Sequence, residues 1–299
     1  MTKTGVFDYV AICNGHFDKP NIDDYWLSKK PIIDIVHSKY YRCPSQYKGT
    51  VICVGYASSG VDITHELRKN GCNVYVAKKD ITKQEELYTL QEGAVDYFST
   101  VTSFISKPVD VFNKDGCSYV VTEHGNKVQC DHIIYCTGYC YEYPFFEPDT
   151  IMMHDKCVHP LYKHLVHLYY PSLAFVGLPY NVLPFLLFEA QAEYLASLWS
   201  RQVALPLFQV RYKKMLSTYS DAQGKNQFPN HVHKLSEGQW DYVMDLYAAA
   251  MKLSDKIISS IELIKEVFED TAKNKERNPL GFRTVNYQID FGRKVWKHK

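Results

Sequence analysis

Hydrophobic positions along this chain follow two rhythms. Through residue 176 they gather in short, β-branched runs, at 6–13, 50–54, 73–77, 131–136 and 172–176. Each run stops at a glycine or a polar turn. Runs of this kind predict buried strands of a parallel sheet, since a strand covered on both faces needs no polar alternation. Between 59 and 70 the spacing changes. Val61, Ile63, Thr64 and Leu67 recur at helical intervals, and Gly71 stands where a helix-ending glycine belongs. Residues 50–77 therefore read as strand, helix, strand, a parallel βαβ unit. Residues 16–49 read as loop, broken by Pro20, Pro31, Pro44 and Gly49. A helix is expected over 82–93, with Glu85 and Glu86 in its first turn. Strands and turns are expected over 94–130, with hairpin signals at 113–116 and 124–126. After Pro184 the rhythm turns helical, over roughly 185–202, 206–219, 236–252 and 255–273. No period of 20 to 50 residues recurs, so a repeat array is excluded. The fold class that follows is α/β with a helical C-terminal part.

The βαβ unit carries the clearest chemistry. Its turn reads Gly55-Tyr56-Ala57-Ser58-Ser59-Gly60. Gly55 permits the tight turn, a small residue at 57 lets a pyrophosphate approach the backbone, and Gly60 lets the helix lie close to the strand. Phosphates would sit on the N–H groups at the helix N-terminus, where the helix dipole favours anions. Ala57 replaces the usual middle glycine and adds one methyl facing that site. The competing reading is a purely structural turn. The second strand ends in Ala77-Lys78-Lys79-Asp80. Lysines there suit a ribose 2′-phosphate and so NADPH, whereas an acidic residue would suit NAD. Two lysines covering a strand end is the alternative. Asn14 with Gly15, and Thr137 with Gly138, are small or polar turns after predicted strands, where a ligand can approach the backbone.

Composition narrows the picture. With 34 basic and 33 acidic residues in 299, the net charge is +1, which argues against a nucleic-acid partner. Nine cysteines contain no C-x-x-C spacing, and several lie inside apolar runs, which fits reduced, buried thiols of an intracellular protein. His154, His159, His164 and His167 lack a metal-ligand spacing, so no metal is expected. The longest stretch without charged residues, 165–188, is interrupted by Pro171, Gly177, Pro179 and Pro184 and reads as strand, turn and helix start, not a membrane span. No signal peptide is visible. The tail from Lys273 to Lys299 is basic and reads as a solvated end. The chain starts almost directly on a core strand.

Together the motifs resemble the flavin-containing monooxygenase family, in its insect and fungal form. His37-Ser38-Lys39-Tyr40-Tyr41-Arg42-Cys43-Pro44 resembles the core of that family's identifying motif, followed at the right distance by the 55–60 loop. Cys136-Thr137-Gly138-Tyr139 matches its Thr-Gly-Tyr signature, and 158–160, 171–179 and 189–192 resemble its C-terminal half. The departures are Pro31 and Ile33 where Phe-x-Gly is usual, Ala57, and the lack of a first Gly-x-Gly-x-x-Gly loop for FAD. By this resemblance the sequence begins over a hundred residues into such a protein. The resemblance implies a Rossmann-like NADPH-binding domain (46–130) inserted in a discontinuous, incomplete FAD-binding domain (1–45 and 131–299). It implies NADPH and FAD as cofactors, O2 and a soft amine or sulfur nucleophile as substrates, and N- or S-oxygenation of the N,N-dimethylaniline monooxygenase type. A cytoplasmic location, or one at the periphery of the endoplasmic reticulum, follows from it, and homo-oligomers are compatible with it. Gly55, Ala57, Ser58, Ser59 and Gly60 would hold the NADP pyrophosphate. Lys78 and Lys79 would meet the 2′-phosphate. Asn14, Thr137 and Gly138 would lie near the cofactors, and Glu189 and Gln191 would open the helix beside the flavin. No catalytic residue is assigned, because the segment with the family's active-site Asn has no counterpart. The alternative is a catalytically inactive, truncated NADP-binding or interaction module.

Overall fold

The β-branched runs of the first half pair side by side in the computed structural model, which describes residues 5–30, 32–86, 103–147, 150–154, 157–224, 232–278 and 281–299. Contacts divide the chain into two units: Phe17–Cys140, and Met1–His16 together with Tyr141–Lys299.

The Phe17–Cys140 unit is built on a five-stranded parallel sheet. Its order is Asp34–His37, His132–Tyr135, Thr50–Val54, Asn73–Ala77, Ser103–Ile105. Alternate residues of each strand enter alternate cores, as the two-residue period requires. Val51, Cys53, Val74, Val76 and Ile134 pack with Ile63 and Leu67 of the crossover helix Ser58–Lys69. Ile52, Val54, Tyr75, Ala77, Ile133 and Tyr135 pack on the other side with Val111, Val120 and Val128. Those valines belong to an antiparallel meander, Pro108–Lys114, Cys117–Thr122 and Lys127–Gln129. Its first turn uses Asp115 and Gly116, both at positive φ, the backbone a two-residue hairpin demands. Leu67 is wholly buried, so truncation to Ala would cost about 2–5 kcal/mol.

The expectation of loop over 16–49 fails at Asp34–His37. Ile35 and His37 are buried there, because the strand adds to the sheet edge beside His132–Tyr135. Phe17–Gly49 and 131–140 fall in the same contact unit as this sheet. At Thr82 a capping box opens a helical turn: Glu85 accepts from the Thr82 N–H and hydroxyl, and Glu85 N–H donates back to Thr82 Oγ1. The rest of the expected helix, and the strands expected over 94–102, lie outside the described residues.

The second unit carries a four-stranded sheet ordered Val10–Ile12, Leu173–Phe175, Val166–His167, Leu161–Tyr162. The first pair is parallel and the others antiparallel. The expected strand over 6–13 contracts to Val10–Ile12, and Val6 and Phe7 are exposed. Helices Pro184–Trp199, Gln239–Ala249 and Asp255–Arg277 share one core around Leu187, Tyr194, Trp240, Val243, Leu246 and Ile261. A fourth helix spans Phe208–Gly224. The basic tail is not a bare solvated end: Tyr287–Asp290 and Val295–His298 form a hairpin, and Tyr287 and His298 both donate to Asp270 of the long helix. Among the described residues, no helix is long and apolar enough to cross a membrane.

Candidate nucleotide-binding site

The chain leaves strand Thr50–Val54 at Gly55 and enters helix Ser58–Lys69 three residues later. Gly55 has φ of +96°, and a Cβ there would stand 2.9 Å from the Cys136 carbonyl oxygen. A Cβ on Gly60 would stand 2.3 Å from the Gly55 carbonyl oxygen. Both glycines are therefore demanded by close backbone approach, as the spacing predicts. The N-cap, Ala57, has no side-chain acceptor. The first helical hydrogen bond runs from Val61 N–H to the Ala57 carbonyl, so the N–H groups of Ser58, Ser59 and Gly60 precede the ladder. Ala57, Ser58 and Ser59 are exposed. An uncapped, solvent-facing helix start between two obligatory glycines suits an anion.

Lys78 follows the next strand and its N–H donates to Ile105. Its ammonium rests over the rings of Phe104 and Tyr56, at 3.7 and 5.1 Å from their centroids. Lys79 is exposed.

The Thr137–Gly138 turn forms the floor beneath the loop. Thr137 Oγ1 donates to the Asn21 carbonyl at 2.5 Å, and Asn21 N–H donates to the Gly138 carbonyl. His37 completes the anchor. Its Nε2 meets the Gly138 carbonyl at 2.9 Å, and its Nδ1 accepts from Lys39 N–H at 3.1 Å. A carbonyl only accepts and an amide N–H only donates, so His37 is the neutral Nε2–H tautomer. Burial, followed by the nearby Lys39 charge, outweighs the Gly138 bond and lowers its pKa. Within the loop's floor, the hydrogen bond that the Cys136 thiol gives to Cys53, followed by burial, pushes the Cys136 thiol up, so it stays protonated. The motif at 37–38 thus holds the turn that Gly55 abuts.

The remaining predicted residues belong to the other unit. Asn14 is exposed after strand Val10–Ile12. Glu189 and Gln191 do not open their helix, which begins at Pro184. Proline supplies that start, because its fixed φ suits the first helical position. Glu189 is exposed, whereas Gln191 is fully buried with both ends of its amide engaged. Oε1 accepts from Gly177 N–H and Nε2 donates to Tyr242, each at 2.8 Å. Gln191 is a strap across the Gly177 turn.

Sequence reasoning did not single out His233, Tyr56 or Phe104. His233 Nδ1 lies 3.0 Å from Nδ1 of His164, and its Nε2 meets the Val158 backbone. Burial first, then the Lys214 charge, lowers His164 to about 4. His233 lies well below its ordinary value, first through burial and then through His164. These pairings span scores of residues, so no local signal could have found them. All nine cysteines are unpaired, and five are buried. A cavity of about 390 Å³ beside Tyr9, Pro171, Trp199 and Leu205 includes none of the predicted site residues.

Comparison with known proteins gives two family matches. Residues 2–167 match the pyridine nucleotide-disulphide oxidoreductase family, and residues 101–243 match flavin-binding monooxygenase-like proteins. The chain is 31% identical over 251 residues to the flavin-containing monooxygenase FMO GS-OX5 of Arabidopsis thaliana, covering 81% of this chain and 51% of that protein. The chain thus spans about half the length of the curated relatives it matches. Among solved structures, S-allyl-L-cysteine S-oxygenase from Allium sativum superposes with a TM-score of 0.75 at 26% identity, covering 97% of this chain and 62% of that one. Tmm from Pelagibacter sp. strain HTCC7211 superposes with a TM-score of 0.72 at 20% identity, covering 97% and 61%, a likeness of fold.

Proposed function

Because this chain belongs to the flavin-containing monooxygenase family, we propose that its Phe17–Cys140 unit holds NADPH for a flavin-dependent monooxygenase acting on a soft nucleophile. The observation that carries this reading is the helix start at Ser58: uncapped, exposed and set between two glycines, Gly55 and Gly60, that tolerate no Cβ. The residues fit a pyrophosphate. Ser58, Ser59 and Gly60 would donate N–H groups to it, and Lys78 and Lys79 would meet the ribose 2′-phosphate. His37, Thr137 and Asn21 keep the turn beneath the loop from moving, so the donors stay aimed without reorganising on binding. Bound flavin supplies the oxygen chemistry in this family, and the protein's part is binding, orientation and exclusion of water. Similarity to the S-allyl-L-cysteine S-oxygenase of Allium sativum supports sulfur as the nucleophile ahead of nitrogen.

A second reading, an NADP-binding module without oxygenase activity of its own, is favoured by two observations. The sequence carries a single Gly-x-Gly/Ala-x-x-Gly loop, whereas two dinucleotides call for two. Gln191, carried over toward the flavin, already has its amide filled. Absorbance of the purified chain in the flavin bands, with and without added FAD, separates the readings. We expect a colourless chain that binds NADPH. Stoichiometric flavin with NADPH-dependent oxygen consumption would establish the monooxygenase in this chain alone. Failure to bind NADPH at all would overturn both readings.

A further inference from the structure

Lys78 carries the choice between NADPH and NADH, and its ammonium is held in an unusual way. It makes no ion pair among the described residues. Instead it lies 3.7 Å from the Phe104 ring centroid and 5.1 Å from that of Tyr56. The two rings meet edge to face, 5.5 Å apart at 79°. Tyr56 belongs to the phosphate loop. Phe104 belongs to the edge strand Ser103–Ile105, whose Ile105 carbonyl accepts the Lys78 N–H at 3.0 Å. One cation thus ties together the loop, the end of the second strand and the neighbouring strand. The adjacent Lys79 is exposed and has no such ring contact among the described residues.

We propose that Tyr56 and Phe104 form an aromatic rest that fixes Lys78 as the selector of NADPH over NADH, a role that rests on the nucleotide-binding reading of the loop. The physics distinguishes a ring from the usual carboxylate partner. A carboxylate would cancel the lysine's charge and repel an incoming phosphate. A ring face attracts the ammonium through its quadrupole, adds no net charge and leaves N–H donors available. A lysine stem also loses much rotamer freedom when ordered on binding. A side chain already seated on a ring has lost part of that freedom beforehand, which favours the bound state. Tyr56 and Phe104 are positioning residues here; of the three side chains, Lys78 is the one that would touch the phosphate.

The test is equilibrium binding of NADPH and of NADH to the purified chain and its variants. Phe104→Leu keeps an apolar side chain but removes the ring. It should weaken NADPH binding two- to five-fold, the range expected for a partly exposed cation–π contact, and leave NADH unchanged, because NADH has no 2′-phosphate. Phe104→Tyr keeps a ring and should retain the wild-type preference, which also covers the case in which Phe104→Leu fails to fold. In a Lys78→Ala background, Phe104→Leu should no longer alter the NADPH to NADH ratio. If Phe104→Leu leaves that ratio unchanged, weakens both nucleotides equally or raises the preference for NADPH, the aromatic rest is wrong. If at the same time Lys78→Ala still abolishes the preference, the nucleotide reading stands without it. If the wild-type chain binds neither nucleotide, the reading fails and takes the proposal with it.

Discussion

Two strand-to-helix turns in this protein begin alike and finish differently. After Val54 the chain turns at Gly55, and after Phe175 at Gly177, both with positive φ and both under steric constraint. At Gly177 the protein fills the space itself. Gln191 takes the Gly177 N–H, the Phe188 ring lies where a Cβ would go, and Pro184 starts the helix with one N–H fewer to satisfy. At Gly55 no side chain among the described residues caps the helix start: the N-cap is Ala57, and Ser58 and Ser59 face solvent. One turn is satisfied internally and the other presents donors outward. A glycine after a strand is therefore not itself a sign of a ligand. What the next helix does with its first N–H groups is the deciding feature.

Substitution in the open turn, set against a glycine elsewhere whose only constraint is its φ, should show what close backbone approach adds. The largest effect is expected at Gly60→Ala, whose Cβ meets backbone at 2.3 Å and so cannot be relieved by a side-chain rotation. It should lower stability by about 3 kcal/mol and abolish NADPH binding, read by thermal melting and titration. Gly125→Ala, at positive φ but with nothing within 4 Å, should cost only about 1 kcal/mol and leave binding intact.

Acid comes next and acts on the unit of the closed turn. His164 and His233 have folded-state pKa values below the ordinary 6.5. Above that value neither the folded nor the unfolded state binds the proton. Below it the unfolded chain does and the folded chain does not, so stability falls as pH drops. The loss should approach about 1.4 kcal/mol per pH unit for each such imidazole, until His164 titrates near 4. Denaturant melts between pH 7 and 5 measure it, and His164→Asn should flatten the dependence.

Gln191→Leu should cost about 2 kcal/mol, since it leaves the buried Gly177 N–H without an acceptor. NADPH affinity should not change. A fall in affinity with no loss of stability would contradict the strap. The smallest effect is expected at Ala57→Gly, which removes a methyl from the proposed path of the pyrophosphate and should tighten NADPH binding roughly twofold. Weaker binding would mean that the phosphate lies elsewhere.

The open turn was legible in the sequence because everything that makes it is local. The runs at Thr50–Val54 and Asn73–Ala77, the helical stripe from Val61 to Leu67 and the glycines at 55, 60 and 71 all fall within 28 residues and agree with one another. The strand Asp34–His37 was not legible, since its four residues include Asp34 and His37 and its burial comes from pairing with residues a hundred positions away. Gln191 and His233 were opaque for the same reason: their partners Tyr242 and His164 lie 51 and 69 positions distant. The closing hairpin was hidden by its charge, although Tyr287 stands opposite His298 and Ile289 opposite Trp296 across it. The His37-Ser38 motif could be found from sequence, but its work, anchoring Gly138, needed the fold.

The most direct test of the account is titration of the purified chain with NADPH and with NADH, on wild type and Lys78→Ala. A charge-assisted contact to the 2′-phosphate predicts NADPH binding at least about tenfold tighter than NADH, with that preference lost in Lys78→Ala. Equal affinity for the two nucleotides in the wild-type chain, or a preference that survives Lys78→Ala, would contradict it.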